Sequence, residues 1–260
     1  MPTWDPQQYL KFEEYRSRPC KELVARLSPG TVSRAIDLGC GPANSTGILA
    51  ARFPAAQIIA MDSSKEMLAK ARATYPAKPW QFELGDIATW SPPSDWLGTV
   101  DIILANASFQ WITNHDQLFP RLMTWLRPGG QLAVQMPISY DLPVLALIEQ
   151  LGRDPMWKGR FDNLALPYTW HETQDYYDFL RPAASTIDLV EVSYFHHLAS
   201  PDDIVEWSRG TGLRPWLEHA GPDADAFLAE YRHRIHAAYP RQSDGSVLLQ
   251  FKRVMILATR

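Results

Sequence analysis

The chain has 260 residues, enough to bury a sizeable core as one domain or as one domain with a cap. Its formal charge of −4 leaves no basic excess, and its arginines are scattered rather than gathered in a stripe, which argues against a nucleic-acid partner. Cys20 and Cys40 are too few for a disulfide framework and read as free thiols in a reducing compartment. No apolar run nears the ~20 residues of a membrane span and the first residues carry no signal pattern, so a cytoplasmic location is expected.

Residues 1–34 read as an N-terminal segment with a helix over about Pro19 to Leu27. From 35 to 136, apolar strands and helical stretches alternate at the spacing of βαβ units. The first strand runs into Ile36-Asp37-Leu38-Gly39-Cys40-Gly41-Pro42-Ala43-Asn44. Gly39 and Gly41 let the backbone turn tightly and approach a ligand that a Cβ would obstruct. Asp37 stands at the strand's carboxyl end, where it repels phosphate and attracts a cation. A dinucleotide fingerprint needs a third glycine where this chain has Asn44, so a pyrophosphate cradle is disfavoured.

The second strand, Gln57 to Asp62, ends in an acid, and a carboxylate at that place can accept both hydroxyls of a ribose. Ser63-Ser64-Lys65-Glu66-Met67 supplies a serine cap for a helix through Ala73, with Met67 placed where an adenine face could rest; packing in the core is the competing role for Met67. Trp80 to Ile87 alternates as a third strand ending in Gly85-Asp86-Ile87. The fourth strand, Val100 to Asn106, is nearly continuously apolar, as a strand covered on both faces should be, and leads into Asn106-Ala107-Ser108-Phe109-Gln110-Trp111. A helix over His115 to Leu126 precedes Arg127-Pro128-Gly129-Gly130 and a fifth strand, Gln131 to Met136. Beyond Pro137 the pattern loosens into helices at Leu142 to Leu151, Glu172 to Leu180, Pro201 to Ser208 and Arg214 to Ala238. Strands at Thr186 to His197 and Ser246 to Ala258 complete the pattern.

The sequence Asp37-x-Gly39-x-Gly41, with Asp62 closing the next strand, resembles motif I of the class I S-adenosylmethionine-dependent methyltransferases. Longer stretches are more specific. Trp4-Asp5-Pro6 with Tyr9, Arg16 and Pro19, the run Ala105 to Trp111, Ala133 to Pro137, and Thr211-Gly212-Leu213-Arg214-Pro215-Trp216-Leu217 together resemble the trans-aconitate 2-methyltransferases. Ala43 departs from the pattern, since many relatives have glycine there.

The resemblance implies an α/β, Rossmann-like fold with a seven-stranded, mostly parallel sheet, helices on both faces and a helical cap. Residues 1–34 would lie over the active site, 35–136 would form the S-adenosylmethionine-binding core, and 137–260 would complete the sheet and carry the inserted cap. It implies methyl transfer to one carboxylate of trans-aconitate or a similar small polycarboxylic acid, giving a monomethyl ester and S-adenosylhomocysteine. The cofactor set would be Tyr9, Arg16, Asp37, Gly39, Cys40, Gly41, Asp62, Ser63, Met67, Gly85, Asp86, Ile87, Asn106, Ala107, Ser108 and Trp111. Gly85-Asp86 would meet the adenine amino group.

A polycarboxylate substrate needs cationic and hydrogen-bonding partners. Arg214, whose planar fork binds a carboxylate bidentately, is the first candidate. Arg18, Trp216, His196 and Phe109 complete the substrate set; His196 and His197 alternate on a strand, so only one of them can face a pocket. No general base and no metal are expected, because a carboxylate nucleophile with a pKa near ~4 is already ionised at neutral pH. Two alternatives stay open: a class I methyltransferase acting on another small oxygen or carbon nucleophile, and a non-catalytic S-adenosylmethionine-binding protein.

Overall fold

The computed structural model describes residues 13–260 except 139, 158 and 167; of Glu13, Glu14 and Arg16 it describes the backbone alone. Seven strands form one sheet: β1 (Arg34–Leu38), β2 (Gln57–Asp62), β3 (Gln81–Leu84), β4 (Val100–Asn106), β5 (Leu126–Pro137), β6 (Thr186–Leu198) and β7 (Val247–Thr259). Their order is β3-β2-β1-β4-β5-β7-β6. The first four pairings are parallel and β7 runs antiparallel to β5. Chain order reverses beside β1, between β2 and β4, and open α/β sheets bind ligands outside the strand ends at such a switch.

Contacts divide the chain into two units. One comprises residues 16–137, 168–192 and 253–260 and contains all seven strands in whole or part. Its helices are α1 (Glu13–Arg26, from residue 16), α2 (Asn44–Arg52), α3 (Lys65–Thr74), α4 (His115–Trp125) and α6 (Thr173–Leu180). The central strands β1 and β4 are almost wholly buried, which is why they read as unbroken apolar runs.

The other unit takes the described residues of 138–167 and 193–252 together with 13–15. It holds α5 (Pro143–Gly152), α7 (Pro201–Arg209), α8 (Arg214–Ala220) and α9 (Ala224–Ala238), and α9 packs against the other three. Its α7 begins with a reciprocal cap between Ser200 and Asp203 and with Pro201 in the first turn, so its start is written locally.

Three elements depart from the sequence pattern. The first helix begins at Glu13 and carries Pro19 inside it; burial of Cys20, Leu23, Val24 and Leu27 offsets the hydrogen bond that a proline removes. The third strand spans only Gln81–Leu84, since its one neighbour β2 ends at Asp62, opposite Leu84. The helix expected over Arg214 to Ala238 is broken at Gly221–Asp223, where Gly221 has φ +55° and Pro222 cannot donate a backbone hydrogen bond.

Candidate active site

The glycine loop is assembled by backbone hydrogen bonds that only its particular residues permit. Gly39 and Cys40 both donate to the Met61 carbonyl, at 2.8 and 3.0 Å. Gly39 has φ +74°, and a Cβ there would fall 2.4 Å from the Ser108 Cβ. The second glycine differs. Gly41, at φ +54°, donates to Asp62 Oδ2 at 2.8 Å, and a Cβ on it would meet nothing within 4 Å. Gly39 is therefore glycine because protein fills the space, and Gly41 stands at open space that a ligand can enter. Ala43 adopts the left-handed region at φ 70° as it caps α2, a conformation that glycine takes without strain.

Asp62 ends β2 half-buried and accepts from the Gly41 and Ser64 amides, one at each oxygen, both at 2.8 Å. Each oxygen keeps lone-pair capacity for a hydroxyl. Ser64 caps α3 by accepting from the Met67 amide at 3.1 Å; Met67 is half-buried on the first turn and Ser63 is exposed. Asp86 is exposed beyond β3 and accepts from the Ala88 amide at 2.8 Å. It lines a cavity of about 330 Å³ with Trp111, Asn114, Gln117 and Arg121 among others. Arg121, missed from the sequence, is fixed there by donating to the Ala88 carbonyl at 2.6 Å and to that of Ile87.

Asp37 is fully buried. Its Oδ2 accepts from the Ser45 and Thr46 hydroxyls at 2.8 and 2.6 Å, in the first turn of α2, and among the described residues nothing donates to Oδ1. Burial pushes its pKa up to about 6, against the two hydroxyls that hold it down, and Asp62 adds repulsion. Two acids facing one glycine loop make the site electronegative. It suits a cationic ligand and disfavours a phosphate.

Several expected contacts require correction. Cys40 turns its side chain into a buried cluster with Ala60 and Leu68, so it offers the loop's ligand face no thiol, and burial raises its pKa. Phe109 is fully buried edge-on against Phe119 and packs in the core, not at a substrate-facing surface. Trp216 is core as well: it packs among Phe161 and Phe227, and a Cβ on Gly152 would lie 2.0 Å from its ring. His196 is buried in an aromatic layer, 4.4 Å from the Tyr15 ring and 5.4 Å from Trp207, while His197 is exposed.

Trp111, by contrast, is 52% exposed and rests on Tyr168 with centroids 4.9 Å apart. Arg18 lies on the exposed side of α1 with Glu22 at 2.7 Å, and Arg214 opens α8 with Glu218 at 2.9 Å. Tyr9 and the Arg16 side chain lie outside the described residues.

The stretch after β4 is held from several sides. Ala107 is left-handed at φ 53° and donates to the Gln135 carbonyl at 2.8 Å; the Ser108 hydroxyl donates to the Leu38 carbonyl at 2.7 Å. Beside it runs a chain of side chains from three strands. Arg253 Nη1 donates to Gln135 Oε1 at 3.2 Å, and Gln135 Nε2 donates to Asn106 Oδ1. Arg253 is only 7% exposed. A basic pair, Lys252-Arg253, inside a mostly apolar strand was the one sequence signal for it.

Residues 35–130 match the family model described as "Methyltransferase domain". Over its whole length the chain is 42% identical to trans-aconitate 2-methyltransferase from Variovorax paradoxus (strain S110), covering 99% of that protein, and 42% identical to the enzyme of that name from Azoarcus sp. (strain BH72), covering all of it. The chain belongs to the trans-aconitate 2-methyltransferase family. In fold this family member is similar to Haemonchus contortus phosphoethanolamine N-methyltransferase 2, solved with S-adenosylhomocysteine, at a TM-score of 0.57 and 15% identity over 94% of this chain and 52% of that one. Among the described residues of this member, no helix is long and apolar enough to cross a membrane.

Proposed function

We propose that the protein transfers the methyl group of S-adenosylmethionine to one carboxylate of trans-aconitate, giving a monomethyl ester and S-adenosylhomocysteine. The observation that carries this reading is the full-length likeness to curated trans-aconitate 2-methyltransferases. The geometry of the glycine loop supports the cofactor: the open face at Gly41, the ribose-competent carboxylate of Asp62 and the anionic surroundings fit a ligand that is cationic at sulfur and carries no phosphate. We assign Gly39, Gly41, Asp62, Ser63, Met67, Gly85, Asp86 and Ile87 to cofactor binding, with Ala107, Ser108 and Trp111 beside them; Asn106, expected in the same set, is held by Gln135 and we move it from the cofactor set to the substrate side. In this reading Asp37 acts through charge and through its hold on α2, since its carboxylate is closed off by Ser45 and Thr46.

When bound, S-adenosylmethionine supplies an electrophilic methyl group on a positively charged sulfur. The protein's residues have no proton to remove, since the substrate carboxylate is ionised near neutrality. Their work is alignment of a carboxylate oxygen with the bond that breaks, where orientation contributes several kcal/mol. Arg214 remains our candidate for one of the charges that hold the polycarboxylate, by its fork of donors. We place the enzyme in the cytoplasm, acting on a free small molecule and not on nucleic acid.

Incubation of the purified protein with methyl-labelled S-adenosylmethionine and trans-aconitate tests the reading. A labelled, base-labile monomethyl ester is expected. Cofactor binding without label transfer to trans-aconitate or any related small polycarboxylate would refute it.

A further inference from the structure

At the carboxyl ends of β4 and β5 the structure gathers a short run of groups whose hydrogen-bond polarity is fixed from one end. Arg253 sits opposite Pro137, the last residue of β5, and Asn106 is the last residue of β4, in register with Gln135. These are the strand ends where open α/β sheets bind ligands. A guanidinium can only donate, so the Gln135 atom facing it must be the carbonyl oxygen. The Gln135 amide nitrogen then faces Asn106 and donates to its carbonyl oxygen. Asn106 is thereby turned so that its own –NH₂ points away from Gln135. The run thus presents donors at both ends: a buried cation at one and a half-buried amide at the other.

We infer that Arg253, Gln135 and Asn106 form a carboxylate-recognition site that binds one of the substrate carboxylates not being methylated. The inference rests on the proposed substrate class. A donor-only array complements an anion and nothing cationic. A guanidinium on the attacking carboxylate would withdraw charge from the nucleophile, so the site suits a spectator group. The carboxylate of the cofactor's methionine end has the same chemistry, and the experiment separates the two.

The test is calorimetric binding of trans-aconitate to the full protein saturated with S-adenosylhomocysteine, in wild type, Gln135→Glu and Asn106→Asp. Gln135→Glu gives Arg253 a carboxylate inside the protein and offers Asn106 only acceptors, which turns the Asn106 carbonyl outward. Asn106→Asp makes the same reversal at the half-buried end, where folding is less at risk. Both variants should weaken trans-aconitate at least tenfold and leave S-adenosylhomocysteine affinity within threefold. Mesaconate and cis-glutaconate each lack one carboxyl of trans-aconitate and keep its double-bond geometry, and the analogue lacking the recognised group should bind wild type and variants alike.

Unchanged trans-aconitate affinity in the folded variants would overturn the inference, as would an equal loss for all three acids. A parallel loss of S-adenosylhomocysteine affinity would do the same by moving the site to the cofactor. Because the readout is binding, wild-type protein that binds trans-aconitate without methylating it would refute the proposed function and leave this result standing.

Discussion

The two sides of the sheet switch point are built in opposite ways. On the β1–β2 side, Asp37, Gly39, Gly41, Asp62 and Ser64 lie within 28 residues of one another, and their geometry is set by backbone amides, left-handed glycines and the nearby Ser45 and Thr46 hydroxyls. On the β4–β5–β7 side, Asn106, Gln135 and Arg253 come from three paired strands, and their side chains meet across the sheet. The first is a local device whose residue types announce its shape. The second exists only once the antiparallel last strand has closed the sheet, and no spacing in the sequence reveals it. Substitutions should therefore act differently on the two sides: through folding and cofactor on the first, through substrate discrimination on the second.

The largest effect is expected at Gly39. Its alanine variant combines ~1–2 kcal/mol of left-handed strain with an overlap against Ser108 typically worth ~1–3 kcal/mol, so a loss of about 4 kcal/mol in urea unfolding is expected. A loss under ~1 kcal/mol would mean that the loop gives way easily and is not the rigid side.

Asp37 gives the next effect, and its sign is opposite to that of most aspartates. Its folded pKa of about 6 lies above the ordinary 3.8. Its favourable contribution is therefore complete below pH ~4 and is lost as pH rises through about 6. Asn at this position stays neutral. The stability of wild type relative to Asp37→Asn should fall by roughly 2.5 kcal/mol between pH 4 and 7, at ~1.4 kcal/mol per pKa unit. Urea titrations of both proteins across that range check it, and a flat difference would remove Asp37's burial as the controlling feature.

Arg214→Ala is expected to raise KM for trans-aconitate by an order of magnitude or more, a loss of about 1.5–3 kcal/mol, with cofactor affinity nearly intact. Lysine should rescue only in part. Steady-state kinetics with unaltered KM would make Arg214 simply the surface partner of Glu218. The smallest effect belongs to Ala43→Gly: relief of left-handed strain and loss of chain stiffness nearly cancel, so stability should shift by less than ~1 kcal/mol, in contrast to Gly39.

Much of this molecule was legible in its sequence because the signals were local. The apolar run Val100 to Asn106 marks a strand covered on both faces, and Ser64 before Lys65-Glu66-Met67 marks a cap; both stand in the structure. The side chains were harder. Phe109 and Trp216 sit in stretches that mark the family, yet their rings are buried in cores, since a family stretch fixes position in the chain and not the direction in which a side chain points. Arg121 and Arg253 were missed for the complementary reason: their meaning comes from carbonyls and amides of elements distant in sequence.

The most direct test of the division between the two sides is a crossed measurement on Asp62→Ala and Gln135→Glu, with cofactor affinity by calorimetry and KM for trans-aconitate at saturating cofactor. Asp62→Ala should weaken S-adenosylmethionine by tenfold or more, since it removes charge-assisted hydrogen bonds of roughly 1.5–3 kcal/mol each, and leave KM for trans-aconitate within threefold. Gln135→Glu should do the reverse. If either folded variant shifts both constants equally, or if Asp62→Ala leaves cofactor affinity within threefold of wild type, the two sides do not divide the work as described.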